Sequence, residues 1–393
     1  MVNILYVIDN LSFGGGERCF AQVIKSLPQT RYRIFAACKN QGIFWERLKK
    51  YGVIGYPIDM GSRFNISIIR YLMIIMRKEN IHIVHSQGGR AEFFARMAAK
   101  LAKIPKVVST VAMPVEGYDV SPIRKAAYVA FDRFTERFVD KFIVVSEALR
   151  RTLIEGHKIP PEKVIRIYNG IELDKYDPEL YSREKVRKEL RIGLDEPLVG
   201  AIGRLVWQKG FPFFIRAASY VLRTIPNAKF LLVGDGPLRS ELERMVSDLG
   251  MTEDFIFTGF REDIPEVLAA LDVLVLSSLK EGLPMILLEG MAMAKPVVAT
   301  QIEGISEVVE HGKTGILVPP EDPQALAEGI IALLRDKDKA RRMGQAGRKR
   351  VEEKFSVDEM VRRTQGVYES MVQGRSFRFK VIGILGGVRW QGS

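Results

Sequence analysis

Residues 198–223 read LVGAIGRLVWQKGFPFFIRAASYVLR, and a strand, a glycine-bearing turn and a helix follow one another within them. The apolar run 198–202 has the continuous Val/Ile/Leu character of a strand buried on both faces, as in a parallel sheet covered by helices. Gly203 to Gly210 then turns the chain. Phe211 to Arg223 has helical periodicity, and Pro212 sits in its first turn, where a missing N–H costs nothing.

The same unit recurs in both directions. Upstream, apolar runs at 2–7, 33–37, 53–56, 81–85, 106–110, 141–145 and 164–167 alternate with longer helical periods; downstream they fall at 229–233, 255–257, 272–276, 297–299 and 315–318. This alternation predicts an α/β protein of two doubly wound, Rossmann-like units. At 393 residues the chain exceeds one ordinary core and suits two domains of roughly 150–200 residues each. The expected boundaries are 1–172, 173–355, a helix over 356–374 crossing back to the first domain, and a basic tail over 375–393. The turn signal Tyr168-Asn169-Gly170 to Pro178 marks the first junction.

Composition excludes several classes. Two cysteines, Cys19 and Cys38, cannot make a disulfide framework, and four histidines without paired spacing do not suggest structural zinc. No carboxylate cluster points to a metal; Asp336 and Asp338 sit among lysines, as on a solvated face. The segment MVNILYVID lacks a basic leader and a cleavage site, so no signal peptide is expected there. The best apolar run, Ile66 to Met76, is broken by Arg70 and is too short to span a bilayer. A cytoplasmic protein is the expectation.

Charge is unevenly spread. Residues 1–172 carry 27 Lys/Arg against 15 Asp/Glu, residues 173–374 carry 28 against 32, and the tail has four cations and no acid. An anionic partner on the first domain would explain this, and so would solubility alone. The segments 43–51 and 64–78 combine apolar bulk with Arg63, Arg70, Arg77 and Lys78. They read either as helices packed on their own sheet or as basic amphipathic helices on anionic lipid. Nucleic acid is not expected, because the cations lack interleaved aromatic platforms.

The chemistry gathers in two loops. In 203–210, Arg204 and Lys209 can converge on a diphosphate at a helix N-terminus, the guanidinium as a fork and the ammonium as a point charge; a solvated loop is the competing reading. In LKEGLPMILLEGMAMAKPVVAT, 279–300, Glu281 precedes a helix running from about Met285 to Ala294, and Glu289 lies within it. A carboxylate among Leu287, Leu288, Met291 and Met293 needs hydrogen-bond donors, and sugar hydroxyls are suitable ones. In the first half, Gly14-Gly15-Gly16 closes the first strand and allows close backbone approach to a phosphate or an acceptor. It lacks the spacing of a nicotinamide site. His85 ends its strand, as a structural residue or as an acceptor or sugar contact.

With these motifs quoted, the sequence resembles a family 4 glycosyltransferase of GT-B fold from Asn3 to Tyr368. The carriers are GGGE (14–17), VVSEALR (144–150), NGIEL (169–173), GRLVWQKG (203–210), LLVGDGP (231–237), TGF (258–260), SSLKEGLP (277–284), AKPVVAT (294–300), GISEVV (304–309) and GKTGILVPPED (312–322), with Glu281 and Glu289 eight apart. The resemblance implies two Rossmann-like domains facing across a cleft. It also implies metal-independent hexosyl transfer, with retained configuration, from a UDP- or GDP-linked sugar and no further cofactor.

Under the resemblance Arg204, Lys209 and Glu281 are catalytic: the cations stabilise the leaving diphosphate and the acid holds the transferred ring. Gly282, Leu283, Pro284 and Met285 line the sugar and phosphate, Glu289 the ribose, and backbone groups around Phe260-Arg261-Glu262 the base; Gly14, Gly15 and Gly16 face the phosphates. One departure is Ala112, where the family often has a histidine. The basic first domain, its two amphipathic segments and the basic tail suggest peripheral association at the inner face of the cell membrane, and a lipid-linked or cell-envelope glycan as acceptor would follow from it. A soluble-acceptor transferase, a nucleotide-sugar epimerase and an inert sugar-nucleotide-binding protein are the alternatives.

Overall fold

The computed structural model describes residues 1–9, 15–61, 65–113 and 122–372. Gly14, Arg63, Phe64 and the basic tail 375–393 lie outside them. The chain divides into two compact units, Met1–Gly170 together with the chain from Val357, and Ile171–Ser356.

The first unit runs β1 (Val2–Ile8), α1 (Gly15–Ser26), β2 (Tyr32–Cys38), α2 (Ile43–Lys50), β3 (Ile54–Pro57), α3 (Ile66–Lys78), β4 (Ile83–Gln87), α4 (Gly89–Ala102), β5 (Lys106–Val111), α5 (Pro122–Glu136), β6 (Lys141–Val144), α6 (Glu147–Arg151) and β7 (Val164–Arg166). The second continues with α7 (Arg183–Glu189), β8 (Leu198–Ile202), α8 (Phe211–Thr224), β9 (Lys229–Val233), α9 (Arg239–Asp248), β10 (Phe255–Gly259), α10 (Ile264–Ala270), β11 (Val273–Leu276), α11 (Met285–Ala292), β12 (Val297–Thr300), α12 (Glu303–Ser306), β13 (Ile316–Val318), α13 (Pro323–Arg335) and α14 (Lys337–Lys354). α15 (Val357–Val372) belongs to the first unit again. Each apolar run named from the sequence forms a strand whose ends fall within two residues of expectation.

Both sheets are parallel and doubly wound, in the orders β3-β2-β1-β4-β5-β6-β7 and β10-β9-β8-β11-β12-β13. The winding reverses between β1 and β4 in the first sheet and between β8 and β11 in the second. Loops leaving the carboxyl ends of such a strand pair diverge to opposite faces and leave a crevice, the usual ligand site of open α/β sheets. In the second unit these are the loops of Arg204, Lys209 and Glu281. In the first they are the glycine turn and the segment after His85.

Core packing fixes these positions. In the second unit Phe214, Phe230 and Phe255 pack together, with Phe230 and Phe255 stacked at 6.0 Å, over a buried layer containing Val199, Ile215 and Val221. In the first unit α2 buries Phe44, Trp45 and Leu48, and α3 buries Ile68, Leu72, Ile75 and Met76 while packing on α4. The apolar stripes of 43–51 and 64–78 are therefore interior faces. α1 packs against α15, and α4 packs against both α3 and α5.

Candidate functional site

In the second unit, the loops after β8, β9 and β11 interlock through their backbones, and glycine is what lets them. Gly203 N–H donates to the Val233 carbonyl, Leu205 N–H to that of Asp235, and Leu238 N–H to that of Leu205. Gly234 takes φ +135, and a Cβ there would stand 1.9 Å from the Gly203 carbonyl oxygen. Gly210, at φ +59, has the Ser277 carbonyl oxygen 2.1 Å from its would-be Cβ. The 203–210 loop ends in a single tight turn, Trp207–Lys209, before α8. Its Gln208 carbonyl accepts from Leu279 N–H at 2.7 Å, and Ser277 Oγ donates to the Lys209 carbonyl at 3.0 Å.

These contacts bring the predicted side chains together. Lys209 Nζ donates to Glu281 Oε1 at 2.6 Å, and Ser278 Oγ donates to the same oxygen at 2.7 Å. Thr300 Oγ1 donates to the Ser278 carbonyl at 2.6 Å and fixes the loop from β12. The ammonium is thus held at a carboxylate that is itself aimed by a serine. Arg204, on the same loop, is exposed and makes no ion pair among the described residues. Gly282 and the buried Leu283 and Pro284 lead into α11, whose first residue is Met285. Glu289, on that helix, is 3% exposed.

Two of the expected site residues have their side chains engaged within the first and second units themselves. The Arg261 guanidinium donates to Glu189 at 2.5 and 3.0 Å and to Asp263 at 2.8 and 2.5 Å. Four short bonds to two carboxylates engage four of its five N–H donors, so the side chain is tied to α7 and its own loop; the backbone contact with a base expected around Phe260-Arg261-Glu262 does not depend on it, and Phe260 is exposed. His85 is 1% exposed, with Nδ1 at 2.5 Å from the Tyr368 hydroxyl and Nε2 at 2.7 Å from Thr110 Oγ1. Tyr368 also bonds the Tyr6 hydroxyl at 2.8 Å. Burial pushes the imidazole down to about 3, so it is neutral at physiological pH. With both nitrogens engaged, His85 fastens α15 to the sheet, as the structural reading of this residue expects.

The first-unit crevice holds a small hollow lined by Gly16, Phe20, His85, Gln87, Thr110 and Ala112 among others. Gly16 is placed for close approach, since a Cβ there would meet Gln87 Nε2 at 2.5 Å. Gly15 opens α1, and Gly14 lies outside the described residues. Arg90 Nε donates to Asp9 at 2.6 Å and its Nη1 to the Gly61 carbonyl at 3.1 Å, tying together the loops after β1, β3 and β4. Sequence reading did not single out Arg90, Ser278 or Thr300; for Arg90 and Thr300 nothing in their spacing reveals loops that meet only through the sheet order, and Ser278 acts within its own loop.

Two family descriptions match the chain, Glycosyltransferase Family 4 over residues 13–175 and Glycosyl transferases group 1 over 182–350. The alpha-maltose-1-phosphate synthase of Mycolicibacterium smegmatis is 30% identical over 76% of this chain and 82% of its own length. The chain belongs to glycosyltransferase family 4. The transferase is also 27% identical, over 91% of its length and 94% of the other's, to the Escherichia coli UDP-Gal:alpha-D-GlcNAc-diphosphoundecaprenol alpha-1,3-galactosyltransferase. Among solved structures, Anabaena HepE in complex with UDP-glucose superimposes with a TM-score of 0.83 at 22% identity, covering 94% of this chain and all of that one. That likeness and the two parallel sheets make the transferase a GT-B protein of two Rossmann-like domains.

Proposed function

We propose that the transferase moves a hexose-type sugar, with retention of anomeric configuration and without a metal, from a UDP- or GDP-linked donor to a lipid-linked or cell-envelope glycan. The observation that carries this reading is the 2.6 Å contact of Lys209 with Glu281 at the switch point of the second sheet, with Arg204 on the same loop. A departing nucleoside diphosphate gains negative charge while the anomeric carbon gains positive charge. Two preorganised cations at the start of α8 stabilise the first, and an acid set to grip a ring hydroxyl orients the second. Gly282, Leu283 and Met285, at the entrance to α11, offer backbone N–H groups to sugar and phosphate, and the carboxylate of Glu289 is suited to ribose hydroxyls.

The acceptor class draws its support from the name of the Escherichia coli relative, whose acceptor is a GlcNAc carried on diphosphoundecaprenol. The synthase from Mycolicibacterium smegmatis favours a soluble acceptor as the second reading. Thermal-shift measurements with UDP, GDP and their hexose conjugates test the donor. A ligand at one hundred times its dissociation constant adds about 2.7 kcal/mol, and this gain is expected to shrink in Lys209→Ala. A protein that none of these nucleotides stabilises would sink the reading. Product NMR, from the anomeric coupling constant, tests retention.

A further inference from the structure

Helix α5 wears its apolar side outward. Ile123, Phe131 and Phe134 are 85%, 41% and 46% exposed, and Ala127, Ala130 and these three share one helical stripe by their 4-3-1-3 spacing. The rings form one group with their neighbours: Phe93 of α4 meets Phe131 edge-on at 5.5 Å, and Phe134 meets Phe138 at 5.8 Å. Leu101, at the end of α4, is 51% exposed.

The charges around this stripe have sorted by sign. Arg137 lies over the Phe134 ring at 4.1 Å, Lys100 over the Phe138 ring at 5.5 Å, and both are exposed. The two acids of α5 are turned in. Asp132 takes Arg96 Nη1 at 2.6 Å, and Arg96, fully buried, also donates to Glu92 at 2.6 Å and to Ser109 at 3.0 Å. Glu136 bonds His157 Nδ1 at 2.5 Å, both side chains being buried. Neither acid of α5 faces the stripe, whose outward side is apolar with Lys100 and Arg137 at its aromatic end.

We infer that the α5 stripe, flanked by Lys100 and Arg137, is the surface by which the transferase lies on an anionic lipid bilayer. Exposed aromatic and aliphatic side chains can enter the acyl boundary while long cations stay at the headgroups. A second copy of the chain is a poorer occupant, because a two-fold interface centred on this stripe sets cations against cations. The surface differs from the one the sequence suggested: α2 and α3 spend their apolar stripes on the core. The inference rests on the reading of a membrane-held acceptor.

Co-sedimentation of the full chain with phosphatidylglycerol–phosphatidylcholine vesicles and with pure phosphatidylcholine vesicles, at low and high salt, is the test. Binding to the anionic vesicles alone, weakened by salt, is expected for the wild type. Phe131→Ser/Phe134→Ser is expected to weaken it roughly tenfold to a hundredfold, and Lys100→Glu/Arg137→Glu to remove its salt dependence. Ile66→Ser/Tyr71→Ser, on α3, is expected to bind as the wild type does. Nucleoside-diphosphate binding and the circular dichroism melt confirm folding.

If the wild type binds vesicles and the α5 variants bind equally well, the assignment of this surface is overturned and the membrane-held acceptor survives. If the wild type binds no vesicles, both fail while donor binding stands. Loss of a dimer in the phenylalanine variant, without loss of lipid binding, makes the stripe a contact between copies and overturns the proposal.

Discussion

Substituting Gly304 by alanine tests whether backbone spacing sets the geometry of the donor loops. A Cβ at this position would stand 2.3 Å from the Gly282 carbonyl oxygen, 2.8 Å from that of Glu281 and 2.9 Å from the Gly282 carbonyl carbon. Ordinary contact begins at 3.4 Å, so the obstacle must retreat by about 1 Å, and no side-chain rotation relieves a clash with backbone. The upstream half of the loop cannot give way, because Thr300 holds the Ser278 carbonyl and Gly210 packs on that of Ser277. The displacement therefore falls on Glu281 and Gly282. A misplacement of about 1 Å in a positioning group costs on the order of 100-fold in rate, and overpacking of this kind costs about 1–3 kcal/mol of stability. Steady-state transfer kinetics, calorimetric titration with a nucleoside diphosphate and thermal unfolding read the three effects separately. The expected result is kcat/KM down about 100-fold, a lower melting temperature, and a smaller loss for the nucleotide alone, since the shift is at the sugar end. Wild-type kinetics together with a wild-type melt would refute the reasoning.

Three further outcomes follow from the same structure. Lys209→Ala should lower kcat about 10²–10³-fold, and adding Glu281→Gln should cost less than the sum of the two, since the groups share one contact; strictly additive losses would separate them. The His85 imidazole sits at about 3 against 6.5 when free, so on acidification the unfolded chain takes up a proton that the folded unit refuses. The stability it confers is whole above pH 6.5 and is lost as pH falls towards 3, by roughly 2 kcal/mol at pH 5. Urea unfolding at pH 8 and pH 5 should show this difference shrinking in His85→Gln, and an equal loss in both proteins would clear His85. Ala294 holds φ +52, a left-handed conformation that costs a residue with a Cβ about 1 kcal/mol. Ala294→Gly should raise the melting temperature by about 1–2 °C after glycine's own entropy is counted, and a fall would show that the alanine methyl packs usefully.

Strand positions were legible because both sheets are parallel and covered on both faces, so buried strands advertise themselves as unbroken apolar runs. The exception instructs. β4 was expected at 81–85 and runs Ile83–Gln87, since Ile81 closes the turn after α3 while His85, Ser86 and Gln87 continue the strand. Polar residues enter a buried strand only when partners on other elements satisfy them, here Thr110, Tyr368 and Ser109, and a local reading cannot see those partners. Lys209 and Glu281 were legible because loop chemistry at a glycine turn is local. Thr300, which fixes the Ser278 carbonyl, lies 22 positions from it, and Glu189 lies 72 from Arg261, whereas Ser278 and Asp263 are neighbours whose side-chain direction the sequence does not show. For α2 and α3 the sequence left two readings open for a related reason: composition reveals that a helix has an oily side, whereas only packing shows whether that side is kept inside, as it is here.

The Tyr6–Tyr368–His85–Thr110 relay has a consequence for how the chain is made. Its second tyrosine arrives on α15, after the whole of the second unit has been translated. About 190 residues at roughly 5–20 per second leave the nascent first sheet waiting ten to forty seconds for its final helix, with the Tyr6 hydroxyl and His85 uncovered. The interposed unit can finish folding in that interval, because all its strands are contiguous. The amino-terminal half is then the part that leans on chaperones during synthesis, and ribosome-stalled chains ending before Val357 should be cut by protease there first.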